Sequence, residues 1–250
     1  MSRKNDIRRL EIQAILQEKQ DVKVEYLAEA LNVSLETIRA DLTFLEDRGF
    51  LYRYHGGAKI RDSIIDIPMD IRTKERVHDK RKIAEKTLEQ IKDDDVVYLD
   101  PSSTALYLGK LLKLKRNLTI VTNSLELVNT LQDTKHRLII IGGDYSVSGK
   151  RTIGDFALQV LNSIYFDLCV LGMDGCMNLD GPANIDSDEL AINQSVMKKS
   201  KRKILVSDAS KFQKTAYFQY AAFDQFDVFV TTKLKVEDKK RVNIRKIIEI

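Results

Sequence analysis

Apolar residues in the first thirty positions recur at the spacing of short helices. One helix is predicted from about Arg3 to Lys19, and a second at residues 26–31. A short extended piece at residues 22–24 separates them. The pattern therefore indicates a first helix and a shorter second helix, joined by an extended piece.

A third helix follows a tight turn and has two contrasting sides. Ile38, Leu42 and Leu45 fall on one helical face, Ser34 stands at the N-cap position, and Gly49 is predicted to end the helix. The opposite side carries short polar or cationic side chains and one alanine: Glu36, Thr37, Arg39, Ala40 and Thr43. An apolar back and a polar front are what a helix needs to enter the major groove of DNA.

Residues 50–58 predict a hairpin, or wing, with a glycine turn. Ser34, Glu36, Thr37, Arg39 and Thr43 are the candidates for DNA contact on the third helix. Arg53 and His55 are candidates for phosphate contacts on the hairpin, as are Arg3, Lys4, Arg8 and Arg9 near the N-terminus. Periodicity alone leaves open a three-helix module that binds another protein.

From Asp79 onward, predicted helices alternate with short apolar strands. The predicted strands are residues 96–99, 118–121, 138–141, 168–171, 204–206 and 228–230. The predicted helices are residues 83–91, 107–112, 126–131, 153–161 and 188–199, and the basic tail from Val236 is also expected to be helical. This alternation is typical of an α/β domain with a mostly parallel sheet covered by helices.

The chain is thus predicted to divide into three parts. Residues 1–58 form a winged helix-turn-helix domain, residues 59–78 a charged linker interrupted by Pro68, and residues 79–250 an α/β domain that binds an effector.

Charge and composition narrow the picture only slightly. The net charge is +4, but residues 1–60 contain ten Lys or Arg and ten Asp or Glu, so bulk charge does not argue for DNA binding. Cys169 and Cys176 lack metal-ligand or redox spacing, so neither a disulfide nor a metal site is expected. Without a signal peptide or an apolar run of membrane-spanning length, we expect a cytoplasmic protein with no membrane partner.

Polar residues and glycines follow successive predicted strands, where ligands bind in sheets of this kind. The candidates for effector binding are Asp100, Ser102, Ser103, Thr104, Thr122, Asn123, Ser124, Gly142, Gly143, Asp174 and Lys211. Hydroxyls and helix-start N–H groups suit an anion, glycines allow close approach of the backbone, and Lys211, oriented by Asp208, supplies a cation. Singly, each feature has a plainer explanation as a helix cap, a turn or a surface charge; their joint placement favours a binding site.

The N-terminal motifs resemble the DNA-binding signature of the DeoR family of bacterial regulators. The matching residues are Leu27-Ala28, Leu31-Asn32-Val33-Ser34, Thr37-Ile38-Arg39-Ala40-Asp41-Leu42, Leu45-Glu46, Gly49 and Arg53-Tyr54-His55-Gly56-Gly57-Ala58. The family carries a second arginine where this chain has Ala40. Glu75-Arg76 matches a Glu-Arg pair in the family's linker.

The region from Lys80 to about Thr232 resembles the family's effector domain, which is similar in fold to ribose-5-phosphate isomerase. The matching pieces are Asp100-Pro101-Ser102-Ser103-Thr104, Val121-Thr122-Asn123-Ser124, Gly142-Gly143, Gly172-Met173-Asp174-Gly175 and Asp208-Ala209-Ser210-Lys211. The chain departs from the family at Ser102, where a glycine is common, and at Gly181-Pro182-Ala183.

The resemblance implies a transcriptional repressor of a sugar uptake or catabolism operon. Its partners would be a double-stranded DNA operator, a phosphorylated sugar that relieves repression, and further copies of the chain in a homo-oligomer. It implies no cofactor. An activator of the same type remains open, because the sign of regulation depends on where the operator lies.

Two other functional classes fit the residues less well. A sugar-phosphate isomerase needs a placed carboxylate base, and the relatives' Asp-Gly-Ala-Asp-Glu run has Leu171 and Gly175 at its two ends here. A dinucleotide sensor would carry Gly-x-Gly-x-x-Gly after a strand, and that spacing is missing. We therefore expect a regulator and not an enzyme.

Overall fold

The computed structural model describes residues 3–19, 21–47, 50–60 and 69–250, except for the side chains of residues 3, 4, 17, 60 and 70. The chain forms two compact units, Met1–Ile65 and Asp66–Ile250, and the division falls inside the predicted linker of residues 59–78. The predicted helix end at Gly49, the interruption at Pro68 and the side chains of Arg3 and Lys4 lie outside the described part.

The first unit is a three-helix winged helix-turn-helix, as predicted. Its elements are α1 (Arg3–Lys19), β1 (Asp21–Lys23), α2 (Val24–Ala30), α3 (Leu35–Asp47), β2 (Leu51–Tyr54) and β3 (Gly57–Ile60). The strands form an antiparallel sheet in the order β1-β3-β2. Ile38, Leu42 and Leu45 are all buried, so the apolar face predicted for α3 packs in the core of this unit.

The second unit alternates helices and strands along its whole length. Its elements are α4 (Met69–Arg72), α5 (Val77–Leu88), β4 (Val96–Leu99), α6 (Ser103–Gly109), β5 (Thr119–Thr122), α7 (Leu125–Leu131), β6 (Arg137–Ile140), β7 (Asp144–Ser146), β8 (Arg151–Ile153), α8 (Asp155–Asn162), β9 (Phe166–Leu171), β10 (Ala183–Asn184), α9 (Asp188–Lys199), β11 (Ser200–Ser207), β12 (Phe218–Gln219), β13 (Val228–Thr231), α10 (Val236–Arg241) and β14 (Lys246–Glu249).

Seven of these strands form one sheet in the order β14-β13-β11-β9-β4-β5-β6, and every neighbouring pair is parallel. The chain builds outward from β4 through β5 to β6, then returns to add β9 on the other side of β4. The strand order therefore reverses between β4 and β9. Open α/β sheets bind ligands at such a switch point, beyond the carboxyl ends of the strands.

Apolar layers cover both faces of this sheet. Along β4, Val97 and Leu99 pack with α5, α6 and α7, whereas Tyr98 packs with α8 and α9 on the opposite face. Successive residues of a strand point to opposite faces, so a continuous apolar run is what a strand buried on both sides requires.

The second unit differs from the sequence-based expectation at its C-terminal tail and in its short antiparallel strand pairs, β7–β8 and β10–β12. The basic tail is helical only over α10, and Lys246–Glu249 then adds a parallel edge strand beside β13. Its Ile247 and Ile248 pack against opposite layers, which favours a strand over a helix. The antiparallel β7–β8 hairpin was not predicted at all. None of the helices in the described part combines the length and apolar composition needed to cross a bilayer.

Candidate functional sites

The outward side of α3 presents the polar residues predicted for DNA contact. Glu36, Arg39 and Thr43 are exposed and Thr37 is half-buried. The Ser34 hydroxyl accepts a hydrogen bond of 3.2 Å from the Thr37 amide, which confirms the predicted N-cap. The cap fixes the start of α3, so these side chains share one exposed helical surface.

The hairpin is tied to this helix through Arg53. Its guanidinium donates to the Thr43 hydroxyl and lies 3.9 Å from a Glu46 carboxylate oxygen. Its backbone amide also donates to Glu46 at 2.8 Å. The structure thus brings Arg53 beside Thr43, and it leaves His55 exposed in the hairpin turn.

Arg8 and Arg9, considered above for phosphate contacts, pair with a buried carboxylate in α3. Their Nε atoms lie 2.5 Å and 2.7 Å from the two oxygens of Asp41. Arg9 also stacks over Phe44, with its guanidinium carbon 3.6 Å from the ring centroid. Both arginines therefore dock α1 onto α3.

A second candidate site is a cavity in the second unit, which we call the strand-end cavity. It lies beyond the carboxyl ends of β4, β9 and β11 and encloses about 470 Å³ of empty space, part of it open to solvent. The residues around it come from both sides of the switch point. They are Arg72, Lys80, Asp100, Pro101, Ser102, Ser103, Thr104, Gly172, Met173, Asp174, Asn184, Glu189, Val206, Ser207, Asp208 and Lys211.

Among the described residues, three cations border this cavity: Arg72, Lys80 and Lys211. Burial lowers the pKa of Lys211 to about 8. Burial, together with the charge of Lys211, also lowers the pKa of Lys80 to about 8. The charge of Arg72 also lowers both pKa values, so an anion placed among these side chains would stabilise the protonated forms of the two lysines.

Four carboxylates border the same cavity and differ in charge state. Burial raises the pKa of Asp100 to about 6, and it also raises the pKa of Glu189 although Arg151 lies 2.8 Å away. For Asp174, burial is outweighed by the charges of Arg72 and Lys211, which hold its pKa below the usual value. Burial raises the pKa of Asp208 too, but other effects outweigh it and hold this pKa below the usual value. The largest of them is a hydrogen bond from the Ser210 side chain. The cavity can accept hydrogen bonds from hydroxyl groups as well as attract an anion.

The floor of the cavity joins the two strands that flank the switch point. Asp100 accepts hydrogen bonds from the amides of Ser102 and Gly172. A side chain at Gly172 would place its Cβ 2.7 Å from the Ser102 Cβ, so the close approach of these two loops requires glycine. The Ser102 hydroxyl accepts from the Ala105 amide and caps α6.

The structure brings six of the predicted effector residues together around the cavity: Asp100, Ser102, Ser103, Thr104, Asp174 and Lys211. Among the described residues, the lining of this cavity does not include the other five, Thr122, Asn123, Ser124, Gly142 and Gly143. These follow β5 and β6, which lie to one side of the switch point.

The polar groups after β5 make hydrogen bonds inside the fold. The Asn123 side chain accepts from the Tyr98 hydroxyl and donates to the Thr152 carbonyl oxygen. Thr122 donates to the Leu99 carbonyl oxygen, and Ser124 caps α7. After β6, Gly143 packs against Ile153 and Ala157, where a Cβ would lie 2.3 Å from the Ile153 oxygen.

Sequence reasoning missed Arg72, Lys80 and Asn184 as cavity residues. Arg72 lies in the predicted linker, and its Nη1 is 3.0 Å from Asp174, a residue 102 positions away in the chain. No local pattern signals such a pairing. For Lys80 the sequence did offer a signal, because the helix predicted at residues 83–91 could be extended toward the N-terminus to include this lysine. In the described part of the chain, no group of His, Cys, Asp and Glu is arranged to hold a metal ion.

Family comparisons agree with both units. Residues 8–64 match the DeoR-like helix-turn-helix domain, and residues 75–233 match the DeoR C terminal sensor domain. The chain belongs to the DeoR family of transcription regulators. It is a DNA-binding regulator with a sensor domain, as its sequence predicts.

The alignments with individual relatives cover most of the length of each relative. The HTH-type transcriptional regulator FruR of Bacillus subtilis is 32% identical over 216 residues, which cover 86% of each chain. The glycerol-3-phosphate regulon repressor of Escherichia coli is 30% identical and covered over 84% of each chain. The L-fucose operon activator of Haemophilus influenzae is 32% identical, with 83% of this chain and 84% of the relative covered.

Among solved structures, ribose 5-phosphate isomerase from Plasmodium falciparum aligns at a TM-score of 0.37 and 18% identity. The alignment covers 53% of this chain and 51% of that one.

Proposed function

We propose that this member of the DeoR family represses a sugar uptake or catabolism operon, and that a phosphorylated sugar in the strand-end cavity relieves the repression. The observation that carries this proposal is the composition of the cavity. It combines three cations, which suit a phosphate, with carboxylates that suit sugar hydroxyls, at the switch point of a parallel sheet.

Within the cavity, we assign the phosphate to Lys211 and to the hydroxyls of Ser103 and Thr104 near the start of α6. The sugar hydroxyls would meet Asp100 and Asp174, and Ser102 would hold the loop in place through its cap.

In the first unit, we assign base contacts to Glu36, Thr37, Arg39 and Thr43, and phosphate contacts to Ser34, Arg53 and His55. Residues 1–58 would read a double-stranded operator, and residues 79–250 would bind the effector. Residues 59–78 would connect them, and Arg72 of that stretch would also border the cavity. A homo-oligomer would place two such units on successive half-sites. Because it would bind an operator, we expect this regulator in the cytoplasm.

An activator of the same type is the second candidate, because one similar protein is named as an operon activator. The position of the operator relative to the promoter decides between the two. Transcription from the regulated promoter, measured with and without the protein, separates them directly.

We also propose that the chain does not turn over its ligand. Isomerisation requires a base that abstracts a proton at carbon, and the cavity carboxylates of this chain have a binding role in the proposal. Incubation with ribose 5-phosphate should leave the sugar unchanged; formation of the ketose above background would contradict this assignment.

The experiment that tests the function is a gel shift with the DNA upstream of the gene and of its neighbours, repeated against a panel of sugar phosphates. We expect a retarded complex that one or a few sugar phosphates dissociate, whereas the matching unphosphorylated sugars leave it intact. Retardation that no member of the panel affects would overturn the sensing role. Absence of any complex would overturn the operator assignment.

A further inference from the structure

Residues 69–76, which we call the α4 segment, form part of the wall of the strand-end cavity. Met69 is buried in the apolar layer beneath the sheet, and the Tyr107 hydroxyl donates to the Thr73 carbonyl oxygen at 2.9 Å. Lys80 donates to the carbonyl oxygens of Arg72 and Glu75. This stretch comes directly before the α5 helix, and in the chain it is the first described part of the second unit.

The side chain of Arg72, in this segment, borders the cavity. Its guanidinium pairs with Asp174 at 3.0 Å, and the side chains of the two residues are 13% and 12% exposed. Lys80 and Lys211 border the same space. Arg72 therefore lies beside Asp174, in the loop after β9, and borders the same cavity as Lys80 and Lys211.

We propose that an anionic ligand takes Arg72 over from Asp174, so that the α4 segment senses directly whether the cavity is occupied. This inference rests on the proposed function. It adds Arg72 as the residue that detects a bound anion, and the α4 segment as the part of the chain that responds to it.

The chemistry favours the exchange of partners. A phosphate dianion carries more charge than a carboxylate, and like a carboxylate it can pair with the planar guanidinium through two oxygens. It can also contact Lys211 at the same time, whereas Asp174 would then be free to accept from a ligand hydroxyl. A ligand shifts a conformational equilibrium only by contacting the two states differently, and a contact to Arg72 supplies that difference at the chain segment nearest in sequence to the DNA-binding unit.

The test uses inorganic phosphate as the probe, titrated calorimetrically into the full-length protein. Arg72→Gln should weaken phosphate binding at least tenfold, about 1.4 kcal/mol. Asp174→Asn should tighten it about threefold or more, because the competing carboxylate charge is gone. The gain from Asp174→Asn should be smaller in the double variant than in the wild-type background, since Asp174 competes with phosphate for Arg72 and only the direct effect of removing its charge persists without Arg72.

Lys74→Gln is the matched control. It removes one positive charge from an exposed side chain of the same segment, outside the cavity lining, and should bind phosphate as the wild type does. Circular dichroism checks that each variant is folded, and Arg72→Lys, which keeps the charge but loses the bidentate geometry, should bind with intermediate affinity.

Amide hydrogen exchange gives the second readout. Phosphate should slow exchange in residues 69–80 of the wild type and leave it unchanged in Arg72→Gln. A folded Arg72→Gln variant that binds phosphate like the wild type, or an Asp174→Asn variant that binds more weakly, overturns the inference alone. A wild-type protein that binds neither phosphate nor any sugar phosphate overturns the proposed function together with it.

Discussion

Asp100 Oδ2 accepts a hydrogen bond of 2.5 Å from the backbone amide of Gly172, and this bond joins the carboxyl ends of β4 and β9. These two strands flank the point where the strand order reverses. The bond therefore sets the floor of the strand-end cavity. It also explains why the residues that follow these strands, although 72 positions apart, act as one surface.

Gly172→Ala should distort this floor. The new Cβ would lie 2.7 Å from the Ser102 Cβ and 3.2 Å from Asp100 Oδ2, so the two loops must move apart. We expect a loss of roughly 1–3 kcal/mol in the free energy of unfolding of the second unit, the usual range for overpacking. Phosphate binding should weaken, and operator binding without ligand should persist.

The matched control for that change is Gly142→Ala. No atom lies within 4 Å of the position its Cβ would take, so its unfolding should follow the wild type. Equal melting behaviour of the two alanine variants would contradict the close packing inferred at Gly172.

Asp100 should give the second unit a pH-dependent stability. Burial raises its pKa from 3.8 to about 6, so the folded state binds the proton more tightly than the unfolded state. The resulting stabilisation is complete below the unfolded pKa and is lost as the pH rises through about 6. The stability of Asp100→Asn minus that of the wild type should therefore rise between about pH 4 and pH 7, by up to about 3 kcal/mol, on top of a pH-independent loss because asparagine can accept from only one of the two amides.

Thermal melting at a series of pH values checks this prediction. Asp133→Asn, a change at an exposed carboxylate, serves as the control and should follow the wild-type curve. If Asp100→Asn also ran parallel to the wild type throughout, the raised pKa of Asp100 would be refuted.

Arg39→Ala should separate DNA binding from ligand binding. Arg39 is exposed on α3, so its loss should weaken operator binding by roughly 1–3 kcal/mol if it contacts a base. Phosphate binding should stay at the wild-type level. Arg116→Ala, which removes an 88% exposed arginine from the second unit, is the control. An unchanged footprint for Arg39→Ala would count against α3 as the recognition helix.

The helix-turn-helix unit could be predicted closely because its signals are local. Ile38, Leu42 and Leu45 define one face of α3, and Ser34 caps the helix within three residues of its partner. The parallel α/β class was equally accessible, since short apolar runs alternate with helical spacing.

The order of the strands in the sheet could not be derived from such local patterns, and neither could the set of residues that meet at the switch point. Asn123 follows a strand just as Asp100 does, but β5 lies beside the switch point, and its amide instead bonds Tyr98 and Thr152. Arg72 was missed for the same reason, because its partner Asp174 is brought near only by the folded sheet. The strand at Lys246–Glu249 was hidden by the basic residues around it.

The central claim is that the strand-end cavity controls DNA binding through a phosphate-bearing ligand. Fluorescence anisotropy of a labelled operator, titrated with the sugar phosphate that dissociates the wild-type complex, tests it most directly when Lys211→Ala is measured beside the wild type. We expect both proteins to bind the operator equally without ligand, and Lys211→Ala to need at least tenfold more sugar phosphate for release. Release of both at the same concentration would contradict the account.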